Sequence, residues 1–184
     1  MLNVEKALKK FEKYIQSEGR KILTKEKRND TKSLYNLKWV TTKKMPNSIS
    51  IYFDLGTYGA YVDQGVKGKD PSKVSKGAKI KGQQAPNSPY KFNDKAPPAR
   101  ELLPWIKRKG IQPRFRDEKG KYKKGTELGF ARMVSLNIYH RGLKPSYFFT
   151  KPFQKAFENL PEELAEMYGL DSIDLIKNII RQPK

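Results

Sequence analysis

Apolar residues open the chain at Val4, Leu8, Phe11 and Ile15 and return at Ile22 and Leu23, with charged residues between them. A return every three or four positions gathers them on one helical face and predicts a helix over 4–27, within an N-terminal segment spanning 1–30. Gly19 would weaken or bend it. Past Asn29-Asp30-Thr31 the period drops to two. Leu37, Trp39 and Thr41 alternate with Asn36, Lys38 and Val40, and Ile49, Ile51 and Phe53 alternate with Ser48, Ser50 and Tyr52. With Met45-Pro46-Asn47 between them, these runs predict a β-hairpin over 36–54. Tyr58 to Gln64 then reads as one helical turn closed by Gly65, since glycine takes the left-handed cap without strain.

The middle of the chain loses this regularity. Between 66 and 98, Lys, Gly, Pro, Ser and Gln follow one another with no apolar face, which predicts a long basic loop. Ordering so long a loop by itself is entropically unfavourable, so it is expected to order against another molecule, anionic or acidic. Ala99 to Lys109 reads as a helix burying Leu102, Leu103, Trp105 and Ile106, and Arg114 to Lys124 as a second basic loop with a turn at Asp117–Gly120. Gly125 to Tyr139 predicts the main core helix, with Leu128, Ala131, Val134 and Ile138 on one stripe, Phe130, Met133 and Leu136 beside it, and Gly142 as its end. Leu143 to Pro152 is a short extended aromatic piece bracketed by prolines. Helices are expected at 153–159, from Pro161 through Met167 and over 172–180, making 151–184 a helical C-terminus.

These elements predict an α+β fold in a single domain, 1–184. Its small antiparallel sheet would be built on the hairpin, with short strands added from the loop region or from Tyr147–Thr150. The N-terminal helix and the central core helix would cover one face, with the C-terminal helices at the side.

Charge changes the picture. The chain carries 39 Lys+Arg against 19 Asp+Glu, a formal +20, and residues 66–124 alone hold eighteen basic and five acidic groups. Residues 151–184, with five basic and six acidic groups, are nearly neutral. The excess is therefore a localised basic surface on an ordinary scaffold. Zero cysteines exclude disulfides, thiolate catalysis and Cys-based zinc sites. The amphipathic start is unlike a secretory signal, and no apolar run is long enough to span a bilayer, so a soluble protein made in a cytoplasm and off the membrane is expected.

Candidate chemistry is sparse. The one histidine, His140, lies at the end of the core helix, where a cation suits the helix C-terminus, and no Ser or Asp stands near it in sequence to form a triad. Asp54, Asp63 and Asp70 lack the tight spacing of metal ligands and read as turn and cap residues. No phosphate-cradling or dinucleotide fingerprint occurs. The expectation is a non-enzymatic protein with no metal and no cofactor. The basic segments offer Lys67, Lys69, Lys73, Lys76, Lys79 and Lys81, then Arg114, Arg116, Lys121, Lys123 and Lys124, with Tyr90, Phe92, Phe115 and Tyr122 among them. Such cations meet phosphates without reading sequence, or meet an acidic protein; both owners of the charge stay open.

Two segments carry a resemblance. Tyr58-Gly-Ala-Tyr-Val-Asp-Gln-Gly-Val66, after a hairpin and before a variable loop, is similar to a signature of tailed-bacteriophage head–tail connector proteins of the neck and tail-completion type. Lys144-Pro-Ser-Tyr-Phe-Phe-Thr-Lys-Pro-Phe153, followed by Ala156-Phe157, fills the Pro-aromatic place that comes later in that family. The strings Gly65-Val-Lys-Gly, Ala78–Tyr90 and Leu160-Pro-Glu-Glu-Leu resemble versions in short-tailed, crAss-like phages, while the basic insertions at 66–98 and 114–124 depart from the compact pattern. The resemblance implies a virion protein forming a homo-oligomeric ring, a dodecamer like the portal assembly, between portal and tail, with genome DNA passing through it. It marks Tyr58, Tyr61, Val62, Gly65, Pro145, Tyr147, Phe148, Phe149, Pro152 and Phe153 as the structural or subunit-interface motif. The competing expectation is a free nucleic-acid-binding protein without sequence preference.

Overall fold

The computed structural model describes residues 2–45, 48–116 and 118–181. The turn expected on Pro46-Asn47 and the first residue of the turn at Asp117 lie outside them. Among the described residues the architecture is α+β, with seven helices and small antiparallel two-stranded sheets. The chain divides into two compact units, Met1–Asp63 with Ser146–Lys184, and Gln64–Pro145.

The first unit is built on α1 (Leu2–Lys25), whose predicted stripe is the core: Val4, Leu8, Phe11, Ile15 and Leu23 are buried in one cluster with Leu34, Trp39, Val40, Phe148 and Leu160. A Cβ on Gly19 would lie inside the Trp39 ring and 2.6 Å from the Phe148 carbonyl oxygen. The glycine read as a weak point is therefore where the core closes on the helix, and Trp39 and Phe148 meet there edge to face at 4.9 Å. Between Lys32, at φ 54°, and Leu37 the chain makes one helical turn, α2 (Ser33–Asn36), whose Leu34 carbonyl accepts the Trp39 indole N–H at 2.8 Å. The hairpin is accordingly shorter than 36–54: β1 (Val40–Met45) pairs antiparallel with β2 (Ser48–Phe53), Val40 opposite Phe53. α3 (Gly56–Gln64) follows and Gly65 closes it at φ 72°.

At the C-terminal end of the chain, α6 (Thr150–Phe157) and α7 (Leu160–Arg181) pack on α1. The two helices expected at 161–167 and 172–180 are one, because Gly169 lies open with nothing near its Cβ position and costs α7 only a propensity term. Leu160, Leu164, Met167 and Asp171 form the stripe of α7 turned to the core. The stripe ends on polar chemistry: the Asp171 carboxylate accepts the Asn3 and Val4 N–H groups at 3.0 and 3.2 Å, capping the start of α1. Desolvation pushes that carboxyl up, yet the Asn3 and Val4 N–H donors, together with the positive N-terminus, hold it below the ordinary carboxylate range. α7 runs on past that cap as Ser172–Arg181, about 15 Å of helix. Among the described residues no helix is long and apolar enough to cross a membrane.

The second unit holds three strands from segments expected as loops. β3 (Val66–Lys67) and β4 (Arg114–Arg116) are two of them; β4 pairs with β5 (Tyr122–Lys124), so the second basic loop is a hairpin. Aromatics at Phe115 and Tyr122 on either side of Gly120 favour the ribbon over a loop. Between β3 and β4, α4 (Leu103–Arg108) follows a 3-10 turn at Ala99–Leu102 and buries Ile106. α5 (Glu127–Arg141) is capped by the Thr126 hydroxyl and leads into β6 (Gly142–Leu143), which pairs with β3. Its buried positions are Ala131 and Ser135, whereas Leu136, expected in the core, is exposed. At one of these buried positions the helix meets backbone, the Ser135 hydroxyl donating to the Pro97 carbonyl, while Leu128, Val134 and Ile138 of the expected stripe are half-buried.

Candidate functional site: a carboxylate latch, a looped helix end and two unlike surfaces

The two segments that carry the resemblance meet in the fold. Asp63, at the end of α3, is 1% exposed. One carboxylate oxygen accepts the Phe149 N–H at 2.8 Å and the Thr150 N–H at 3.2 Å, and the other accepts the Thr150 hydroxyl. These are donors that the first turn of α6 would leave orphaned, so Asp63 is a helix cap supplied from 86 residues away. Its carbonyl accepts from Ser146 and Tyr147 N–H at 3.1 and 2.8 Å, and the Val62 carbonyl accepts the Ser146 hydroxyl at 2.7 Å. Held this way, the turn carries Tyr147 at φ 53° and drives Phe148 fully into the core. Phe149, Phe153 and Phe53 ring one another at centroid distances of 5.2–5.6 Å.

Of the motif residues, Phe148, Pro152 and Gly65 are buried, Val62, Pro145, Phe149 and Phe153 are half-buried, and Tyr58, Tyr61 and Tyr147 are exposed. The first seven serve the fold; the three tyrosines face outward. Asp63, which does most of the fastening, was read from sequence only as a turn or cap residue. That reading holds for all three aspartates: Asp54 accepts the Gly56 N–H at 2.8 Å, and Asp70 accepts the Ser72 N–H at 3.1 Å. The Ser72 hydroxyl, and after it the Ser72 N–H and Lys73, keep the Asp70 carboxyl below its usual range despite some desolvation.

In the second unit, the 66–98 segment does not wait for another molecule to order it. The last four carbonyls of α5 lack helical partners, and this segment supplies three of the four. Lys69, Asp70 and Gln84 N–H groups donate to Tyr139, His140 and Arg141 carbonyls at 2.9, 3.2 and 2.9 Å, while Gly142 N–H satisfies Ile138. The Gln83 side chain bonds both the N–H and the carbonyl of Gly68, at 2.6 and 3.0 Å, in the manner of a neighbouring strand. A Cβ on Gly68 would collide with the His140 carbonyl oxygen and lie 2.5 Å from the Gly142 nitrogen. His140 itself is half-buried at the α5 end, edge-on to Tyr139 at 5.0 Å, with its Nδ1 buried and without a hydrogen-bond partner. Burial lowers the Arg141 guanidinium from its ordinary value.

Basic residues dominate what this unit presents. Gln64–Pro145 contains twenty-one Lys+Arg and six Asp+Glu. Lys67, Lys69, Lys73, Lys76, Lys79 and Lys81 are all exposed on the irregular segment, with Lys69 paired to Asp94 at 3.3 Å and Lys73 to Asp70 at 3.6 Å. Arg114, Lys121, Lys123 and Lys124 are exposed on the β4–β5 hairpin, where Arg116 is the last residue of β4. Among the described residues no group of three His, Cys, Asp or Glu side chains converges as a metal site would require.

The surface that sequence reasoning missed is on α7. Its outward arc presents Tyr168, Leu170, Ile173, Leu175 and Ile176, exposed by 42–64%. Apolar residues around most of a helix give no strict period, and the stripe Leu160–Asp171 absorbs the readable part of the pattern. No family model, no curated protein and no solved structure matches this chain.

Proposed function

We propose that the chain is a structural virion protein of a tailed bacteriophage, without enzymatic activity, that forms a ring in the neck between portal and tail. The ring is part of the channel through which the genome passes, and its partners are further copies of itself, a dodecamer, with portal or adjacent neck and tail proteins above and below. The observation that carries this reading is the outward arc of α7. Five large apolar side chains, exposed around the part of α7 that its core stripe does not cover, form an apolar surface of the kind that marks a protein–protein contact.

Two further features support it. α7 exposes Glu162, Glu166 and Asp174 against Lys177, with Glu163 paired to Lys10 and Asp171 buried, while Gln64–Pro145 is strongly basic. A chain with two unlike, oppositely charged surfaces suits the head-to-tail contact that closes rings, in which one copy's surface meets a different surface of the next. The convergence of the 58–66 and 144–153 segments on Asp63 gives the motif of the resemblance one structural job, fastening α6 and so the base of α7. Quantitative mass spectrometry of purified particles of the phage that encodes this chain tests the reading: a fixed stoichiometric copy number close to that of the portal is expected, and absence from mature particles overturns it.

The second reading, a free nucleic-acid binder, draws on the charge of Gln64–Pro145 alone. It requires a chain that remains monomeric at all concentrations and is absent from particles.

A further inference from the structure

The β4–β5 hairpin is built against its own electrostatics. Its register sets Arg114 directly opposite Lys124 and Phe115 opposite Lys123. Side chains alternate across a ribbon, so Arg114 and Lys124 share one face, with Cβ atoms about 5 Å apart in such a pair. Like charges placed so destabilise a hairpin, and a two-stranded ribbon of three-residue strands is marginal to begin with. Its base is secured: Gly125 N–H donates to the Pro113 carbonyl at 2.9 Å, and the Phe115 ring lies where a Cβ on Gly125 would be. Residues 114–124 include six Lys+Arg against two Asp+Glu. A ribbon this repulsive is explained by an anion that comes between its cations.

We propose that this hairpin binds duplex nucleic acid along its phosphate backbone, with Arg114 and Lys124 as a cross-strand cation pair for phosphates. An acidic protein is the poorer fit. Protein interfaces draw their affinity from buried aromatic and apolar anchors and are depleted in lysine, whereas the Phe115 ring is packed over Gly125 and six of the eleven residues 114–124 are cations. A two-stranded ribbon also has the width that the roughly 12 Å major groove admits. Residues 114–124 contain no Asn or Gln, which suits contact that is independent of sequence. The exposed lysines of 67–81 differ: two of them already pair with carboxylates of their own segment, and those from Lys69 to Lys81 lie outside the strands.

The inference deepens the ring reading by naming the surface that meets the passing duplex, and it fails separately from that reading. A chain that assembles but ignores duplex sinks the hairpin alone; one that binds duplex but never assembles sinks the ring alone. The test is fluorescence anisotropy of the full chain with a labelled duplex of about thirty base pairs across a salt series. The wild-type chain binds with a steep negative salt dependence. The Arg114→Glu/Lys124→Glu double variant loses at least about tenfold in affinity at low salt, and its slope flattens by about two units, one per phosphate contact. Lys76→Glu/Lys79→Glu makes the same change in net charge and loses under about threefold, a smaller loss because it removes general attraction only. Arg114→Gln/Lys124→Gln, checked for native circular dichroism, repeats the loss should the glutamate pair disturb the hairpin. Equal losses from the two glutamate pairs, no binding by the wild-type chain, or equally tight Arg114- and Lys124-dependent binding of polyglutamate would each overturn the proposal.

Discussion

The two units of this chain are held together by different forces. In Met1–Asp63 with Ser146–Lys184, ten buried apolar side chains form one cluster around α1. In Gln64–Pro145 the buried apolar residues are few, Val66, Ala85, Ile106 and Ala131, and the order of 66–98 comes instead from backbone groups donated to the open end of α5. An apolar cluster tolerates a change of shape but responds steeply to lost volume. A seam of backbone hydrogen bonds responds to any atom that pushes the chains apart, however small. Gly19 apart, where a Cβ would meet the Phe148 carbonyl, the first unit should therefore be sensitive to deletion and the second to addition.

Phe148→Ala, which empties the centre of the first unit, is expected to have the largest effect, a loss of about 3–5 kcal/mol. Gly68→Ala adds a single carbon to the second unit and is expected to cost more than about 2 kcal/mol, because backbone rather than a flexible side chain stands in its way. Native-state hydrogen exchange reads the two apart. Gly68→Ala should deprotect the Lys69, Asp70 and Gln84 amides while the α1 amides keep theirs, and uniform deprotection of both units would break the comparison. Asp63→Asn keeps the size of the cap and removes its charge. About 1.5–3 kcal/mol is expected in urea unfolding, with the Phe149 and Thr150 amides the first to exchange; a change below about 0.5 kcal/mol would mean that the latch is not holding α6. Gly169→Ala, in open space in the interior of α7, should stabilise the chain by about 0.5–1 kcal/mol. A loss there would mean that something covers the helix at that point.

The same contrast explains what could be read in advance. Val4, Leu8, Phe11 and Ile15 announce α1 because side-chain burial leaves a periodic trace, and the hairpin and Gly65 cap are legible for similar local reasons. The 66–98 segment left no such trace, since a Lys69 or Gln84 amide donating to a helix-end carbonyl demands nothing of its side chain. Gly68, Gln83 and Gly142 are residues whose identity the seam constrains, and singly they look like any loop residues. The 114–124 hairpin was hidden by its lysines, which mask an alternation that Phe115 and Tyr122 carry. At the candidate site, the aspartates as caps and the buried part of the aromatic motif were legible. That Asp63 would reach Thr150 was not, because no local pattern links residues so far apart. The α7 arc was missed because residues left uncovered by their own chain have no partner in the sequence from which to infer a face.

That arc is where the account is most exposed. Mass photometry of the full chain over a concentration series, with Ile173→Glu/Ile176→Glu alongside, measures it directly. The wild-type chain should pass from monomer to a single closed ring, a dodecamer, and the double variant should remain a folded monomer with stability within about 0.5 kcal/mol of wild type. A wild-type chain that stays monomeric throughout, or a double variant that assembles as well as wild type, would contradict it.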